Sequence, residues 1–258
     1  MTGNPVAIIT GASGGMAPGI AQVLCNKGYA LVLVARNMVG LRKAAEKLGG
    51  STRVEAISCD VTDTASVNTM VAKAVEQFGR IDLLVNAAAS SNPIGGSIEQ
   101  VDVDALVADT DTKVGGYLRC IQAVVPIMKA RGLGCIINVG GLTGRSSDTL
   151  SGLRNVAVTH LTKVLADQLG PFGLTVNAVH PGLTRTPHLD ELFVDMAAEK
   201  AVSPHEIEAE FVSQIPTRRL SMPQEVGEAI AFLASAHGGS INGESIAIDG
   251  GYSRGIYL

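Results

Sequence analysis

Seven short runs rich in β-branched and aliphatic residues, at 6–9, 30–35, 54–58, 83–86, 135–139, 175–179 and 245–248, alternate with stretches of helical period at 19–27, 39–48, 65–78, 103–130, 151–169 and 223–234. That alternation leaves few folds open. Parallel strands need crossovers of a dozen residues or more, and helices supply them, so the pattern is the sequence form of repeated βαβ units. Most of the strand-like runs carry almost no charge, as in strands covered by helices on both faces. The chain is predicted to be a single α/β domain over 1–258, with a doubly wound, seven-stranded parallel sheet and helices on both faces. A composition of 46 % hydrophobic against 17 % charged residues supports such a core and argues against disorder.

One stretch breaks the rhythm. From about 186 to 216 the chain is polar and helix-prone, punctuated by Pro187, Pro204 and Pro216, and it directly follows a strand. Ligands of open parallel sheets bind outside the carboxyl ends of the strands, so this insertion reads as a substrate lid. Charge and cysteines narrow the partners. Twenty Lys plus Arg against twenty-four Asp plus Glu give a net charge of −4, with no basic cluster dense enough to follow a phosphate backbone, so no nucleic-acid partner is expected. Cys25, Cys59, Cys120 and Cys135 lie far apart with no CxxC pair and no histidine at ligand spacing, which predicts free thiols and no metal site. No apolar run reaches the length of about 18 residues that a membrane span requires, and the N-terminus shows no export signal, so a cytoplasmic, membrane-free protein is expected.

The first strand-like run leads into Thr10-Gly11-Ala12-Ser13-Gly14-Gly15-Met16-Ala17, and a helical stretch comes next. Glycines permit a tight turn and close backbone approach, while the helix N-terminus presents unpaired N–H groups and partial positive charge; in a βαβ unit this is the setting of a dinucleotide pyrophosphate. After the second strand an NAD-binding chain places an acid on the ribose 2′-hydroxyl, whereas NADP needs a cation for its 2′-phosphate. Here the run is Val34-Ala35-Arg36-Asn37, with a permanently charged planar donor and no carboxylate, which favours NADP(H) over NAD(H). Asp60 and Val61, after the third strand, are placed to contact the adenine. Asn86, Ala87, Ala88 and Ala89, after the fourth, form a small-residue run along which a dinucleotide can lie close to the backbone.

With these segments in order, the chain resembles the short-chain dehydrogenases/reductases, a Rossmann-fold family of about this size. The resemblance covers essentially the whole chain. It rests on TGASGGMA for the family's TGxxxGxG, ARN, CDVTD, NAAA for NAG, and VNAVHPGLTRT for VNxxxPGxxxT, and continues through RRLSMPQEVGEAIAFLAS and NGESIAIDGG. It implies that Gly11, Ser13, Gly15 and Met16 hold the pyrophosphate side, and that Pro181, Gly182, Thr184 and Thr186 hold the nicotinamide.

The resemblance also implies a catalytic Tyr with a Lys four residues later, a Ser upstream and an Asn on the preceding long helix. A phenol of pKa ~10 donates a proton near neutrality only when a nearby ammonium stabilises its phenolate. Gapless alignment from the HPG motif puts Ser151 at the Tyr, Asn155 at the Lys, Gly141 at the Ser and Thr112 at the Asn. No tyrosine in the chain is followed four residues later by lysine. Ser151 is a far weaker acid than a phenol, and Asn155 brings no charge but can still bond the cofactor ribose. His180, His188, Asp148 and Arg145 are the candidate substitutes, though each also reads as an ordinary packed or solvated residue.

Three readings are open from the sequence: an NADP-dependent oxidoreductase with a rearranged site, a non-redox enzyme such as a lyase, isomerase or dehydratase on the same scaffold, or a catalytically silent cofactor-binding or scaffold subunit. The substrate is expected to be a small molecule. Apolar faces on 103–130 and 151–169 resemble the family's dimer-forming helices and predict a homodimer or homotetramer.

Overall fold

The computed structural model describes residues 3–49, 53–90, 94–95, 97–145 and 149–255. Its seven strands are β1 (Val6–Thr10), β2 (Ala30–Ala35), β3 (Val54–Ser58), β4 (Leu83–Asn86), β5 (Gly134–Val139), β6 (Leu174–Pro181) and β7 (Ser245–Ile248). They form one sheet in the order β3-β2-β1-β4-β5-β6-β7, and every pairing is parallel. The chain builds outward from β1 to β3, then returns to lay β4 on the other side of β1. At that reversal the connections after β1 and β4 leave in opposite directions and open a crevice at the carboxyl ends of the strands.

Alternate residues of each strand serve opposite faces of the sheet, which is why the apolar runs are nearly continuous. Val6 and Ile8 of β1, Val32 and Val34 of β2, and Leu84 of β4 join one core. That core is completed by α3 (Thr64–Phe78), α5 (Gly116–Arg131) and α6 (Gly152–Leu169), which insert residues such as Met70, Val124 and Leu165. Ala7 and Ile9, Leu31 and Leu33, and Leu83 and Val85 join a second core under α1 (Ala17–Asn26), α2 (Met38–Glu46) and α9 (Pro223–Leu233). Each fully buried aliphatic side chain contributes about 1.5–3 kcal/mol, so the two-sided sheet is the main source of stability. This is the predicted doubly wound Rossmann architecture.

One expectation changes. The helix anticipated over 103–130 is α4 (Val103–Thr110), a π-helical turn at Asp111–Gly115 and then α5. The turn accommodates one extra residue ahead of α5. Glycine at 116 suits this crowded start of α5, since a Cβ there would lie 2.8 Å from Val61 Cγ2. The insertion at 186–216 is α7 (Pro187–Lys200) and then α8 (Pro204–Gln214), each beginning on a proline in the first turn, where no N–H is needed. This pair has its own small core, in which Phe193 stacks on Phe211 with centroids 5.5 Å apart. Arg185 bridges Asp190 and Glu208 and ties the two helices together. Among the described residues no helix is long and apolar enough to cross a membrane, and all four cysteines are buried thiols outside any disulfide.

Candidate functional site

The crevice is held open by Thr10. Its buried hydroxyl oxygen accepts the N–H groups of Ala87 (3.0 Å) and Ala88 (3.1 Å), pinning the end of β1 to the chain leaving β4. The glycine-rich loop then turns at once. Gly11 has φ +70°, and a Cβ on it would lie 2.8 Å from Ala87 O and 2.9 Å from Ala88 Cα. Ala12 N–H donates to Val34 O at 3.0 Å, which fixes the far side of the loop to β2. At Gly14 and Gly15, by contrast, an added Cβ would meet nothing within 4 Å. The loop is therefore clamped at its base and open above, toward the start of α1, where Met16 provides no side-chain cap.

A cavity of about 670 Å³ lies over this loop. Of the residues expected to hold a dinucleotide, Gly11, Ser13, Gly15 and Met16 line it from the loop, and Arg36, Asn37, Asp60 and Val61 line it from the ends of β2 and β3. Ala87 and Ala88 border it beyond β4, and Gly182, Thr184 and Thr186 beyond β6. Asn37 also caps α2, its side-chain oxygen accepting the Gly40 N–H at 3.1 Å. The Asp60 carboxylate accepts the Thr62 N–H (2.9 Å) and hydroxyl (2.7 Å); these bonds hold its pKa below the ordinary range, and the positive charge of Arg36 adds to the effect. Gly14 of the loop also lines the cavity, as does Thr62, which was not anticipated.

Three expected cofactor residues lie elsewhere. Asn86 is fully buried and donates through Nδ2 to Asn138 Oδ1 at 3.0 Å, so it joins β4 to β5 beneath the crevice. Pro181 is buried as the last residue of β6. Asn155 is 3 % exposed and does not border the cavity.

The aligned catalytic positions divide in the same way. Thr112 lines the cavity, with its hydroxyl donating to Ala108 O at 2.9 Å. Ser151 is 4 % exposed and its Oγ accepts the Ile94 N–H at 2.8 Å. Asn155 donates through Nδ2 to Thr143 Oγ1 at 2.7 Å, and its Oδ1 is buried without a partner. Asn155 and Gly141 are fitted to each other: a Cβ on Gly141 would lie 2.9 Å from Asn155 Nδ2. His180 is also inside, with Nε2 3.1 Å from Thr159 Oγ1, Nδ1 3.2 Å from Gly141 O and its ring against Gly140. His188 borders the cavity from the first turn of α7 and is exposed. Asp148 lies outside the described residues, as does the side chain of Arg145.

Lys113 went unnoticed in the sequence. It is 4 % exposed, and its Nζ donates to Gly140 O at 2.9 Å. Burial and the neighbouring Arg154 push its pKa down to about 7, with Asp109 opposing them. Asp109 and Arg154 form a buried ion pair beside it, while Asp109 Oδ2 and Arg154 Nε have no partner. The signal was present: Lys113 lies four residues before Tyr117, one of the inward-facing residues of α5 that also include Ile121, Val124 and Met128.

Comparison with known proteins agrees with this geometry. Residues 11–253 match the sequence model of a family described as enoyl-(acyl carrier protein) reductase. The short-chain reductase protein NovJ of Streptomyces niveus is 33 % identical over 251 residues, covering 95 % of this chain and 93 % of that protein. The oxidoreductase UcpA of Salmonella typhimurium is 36 % identical over 256 residues, covering 97 % of this chain and 95 % of its own. Among solved structures, the actinorhodin polyketide ketoreductase with NADPH superimposes with a TM-score of 0.90 at 28 % identity, covering 98 % of each chain. The L-sorbose reductase of Gluconobacter frateurii, complexed with NADPH and L-sorbose, gives 0.92 at 25 % identity, again over 98 % of each chain. The chain belongs to the short-chain dehydrogenase/reductase family.

Proposed function

We propose that this protein is an NADP(H)-dependent oxidoreductase for a small-molecule substrate, working with a rearranged catalytic site. The observation that carries the reading is the joining of the glycine loop, the small residues after β4 and Arg36 around one cavity. The residues fit the cofactor. An open, uncapped helix start above Gly14 and Gly15 suits a pyrophosphate. Arg36 is exposed at the cavity rim and, among the described residues, makes no ion pair, so its guanidinium is available to a 2′-phosphate. Gly182, Thr184 and Thr186 are the residues for the nicotinamide end. The bound nucleotide supplies a hydride donor or acceptor; the protein binds it, orients it and excludes water, with α7 and α8 serving as the substrate lid.

Proton transfer cannot take the family's Tyr/Lys route here. Gapless alignment puts Ser151 and Asn155 at those positions, and both are buried and engaged with partners that do not line the cavity. Among the described residues, His188 is the imidazole that borders it. The same observation favours, as a second reading, a chain that holds the nucleotide without the usual carbonyl reduction.

Arg36→Ala tests the first reading. It should weaken NADPH binding at least tenfold, since a hydrogen bond to a charged group contributes about 1.5–3 kcal/mol, and leave NADH binding within twofold. Equal losses for both nucleotides would remove Arg36 from the phosphate site. Four buried thiols outside any disulfide support a reducing, cytoplasmic setting. Val103 and Val107 of α4 and Leu153 and Val156 of α6 are exposed apolar residues that support a homodimer or homotetramer, which sedimentation velocity reads directly; a monomer at micromolar concentration sinks it.

A further inference from the structure

Asn155 leaves α6 without the positive charge that the family's lysine carries, yet an amine is buried at the same end of the sheet. Lys113 reaches it from the π-helical turn, where the preceding residue, Thr112, borders the cavity. Its Nζ is held 2.9 Å from Gly140 O. Gly140 and Gly141 form the chain leaving β5 on which His180 and Asn155 also pack, so three side chains converge on the two residues where the family's serine would lie. A buried amine is an expensive way to satisfy one carbonyl, because water or a neutral donor does so without desolvating a charge. The charges around it are only partly used: Asp109 from α4 pairs with Arg154 from α6 and keeps one carboxylate oxygen unpartnered.

We propose that Lys113 is the positioning lysine of this site, holding the Gly140–Gly141 turn through its ammonium and supplying at the end of β5 the positive charge that Asn155 does not. It acts through that turn and through its field on the neighbouring cavity, and the proposal rests on the NADP(H) reading of that cavity. The groups facing it are Asp109, which favours its charged form, and Arg154, which opposes it; Tyr117 donates its hydroxyl to Val139 O, and the His180 ring packs on Gly140 from β6. With burial outweighing Asp109, Lys113 changes charge near pH 7. An anionic nucleotide favours the ammonium, and by reciprocity the ammonium favours the nucleotide.

NADPH alone is the probe, titrated by fluorescence between pH 6 and 8.5 against the unaltered chain, Lys113→Arg and Lys113→Met. Affinity of the unaltered chain should fall by about tenfold across that range, within the usual span of coupling between sites. Lys113→Arg should keep the acid-pH affinity at pH 8.5, and Lys113→Met should bind weakly and without this pH dependence. A Lys113→Met profile matching the unaltered chain overturns the role of the lysine while leaving the cofactor reading in place. No NADPH binding by the unaltered chain at any pH overturns both. If Lys113→Arg does not fold, ¹³C-lysine NMR on the unaltered protein decides: the Lys113 resonance, identified by its loss in Lys113→Met, should titrate near neutrality and move upward with NADPH. A resonance that ignores NADPH contradicts the proposal.

Discussion

Gly11→Val is expected to abolish dinucleotide binding and to destabilise the fold by about 3–5 kcal/mol, the sum of a strained left-handed backbone at a β-branched residue and overpacking against the neighbouring chain. The position allows no escape. Its φ of +70° is one that a β-branched residue adopts only under strain, and the new Cβ would stand 2.8 Å from Ala87 O and 2.9 Å from Ala88 Cα, which are backbone atoms tied to Thr10. Relief requires moving β1 and β4 apart at the crevice, and that removes the floor of the cavity. Gly14→Ala is the comparison, because a Cβ there meets nothing within 4 Å. Urea unfolding should place it within about 1 kcal/mol of the unaltered chain, the ordinary size of a glycine-to-alanine effect. Equal stability losses at both positions would contradict a loop clamped at its base and open above.

The second large effect is a pH dependence of stability carried by Lys113. Its pKa in the folded state is depressed to about 7 from an ordinary 10.5. Between those values the unfolded chain binds the proton and the folded chain does not, so stability rises with pH; the contribution is absent below pH 7 and complete above 10.5. Each pH unit in that window is worth about 1.4 kcal/mol. The unaltered chain carries other buried groups that work against it at high pH: burial pushes Cys120 up to about 12 and Cys135 up to about 11 from 9.0, so above pH 9 their ionisation favours the unfolded state. The difference between the unaltered chain and Lys113→Met isolates the lysine. Measured by urea unfolding, it should shift in favour of the unaltered chain by about 2 kcal/mol from pH 7 to pH 9, since the folded lysine is still half protonated at pH 7. A difference that stays flat across that range would show that the amine is not desolvated as described.

The sheet and the cofactor loop were legible because their signals are local. Apolar runs with flanking turns define strands at 30–35, 54–58, 83–86 and 245–248 that coincide with β2, β3, β4 and β7. The loop residues that line the cavity, Gly11 and Ser13 to Met16, owe their place to a glycine pattern set between a strand and a helix, and that pattern survives without knowledge of packing. The catalytic end was read less well, since it depends on which way a side chain turns. Asn86 and Asn155 lie in the right motifs, but one is drawn inward by Asn138 and the other by Thr143. Sequence period gives no warning of these partners, which lie 52 and 12 residues away. Lys113 escaped notice for a related reason. A charged residue in an apolar stripe reads as an interruption, and only the chain around Gly140 makes it a buried donor.

Every functional claim for this chain depends on a dinucleotide entering the cavity with its 2′-phosphate at Arg36. Titrating the purified protein with NADPH and NADH under the same conditions, monitored by nucleotide fluorescence, tests this most directly. The prediction is that both bind and that NADPH binds at least tenfold more tightly, the smaller end of what a charge-assisted hydrogen bond of about 1.5–3 kcal/mol provides. Tighter binding of NADH, or no binding of either nucleotide, would contradict it.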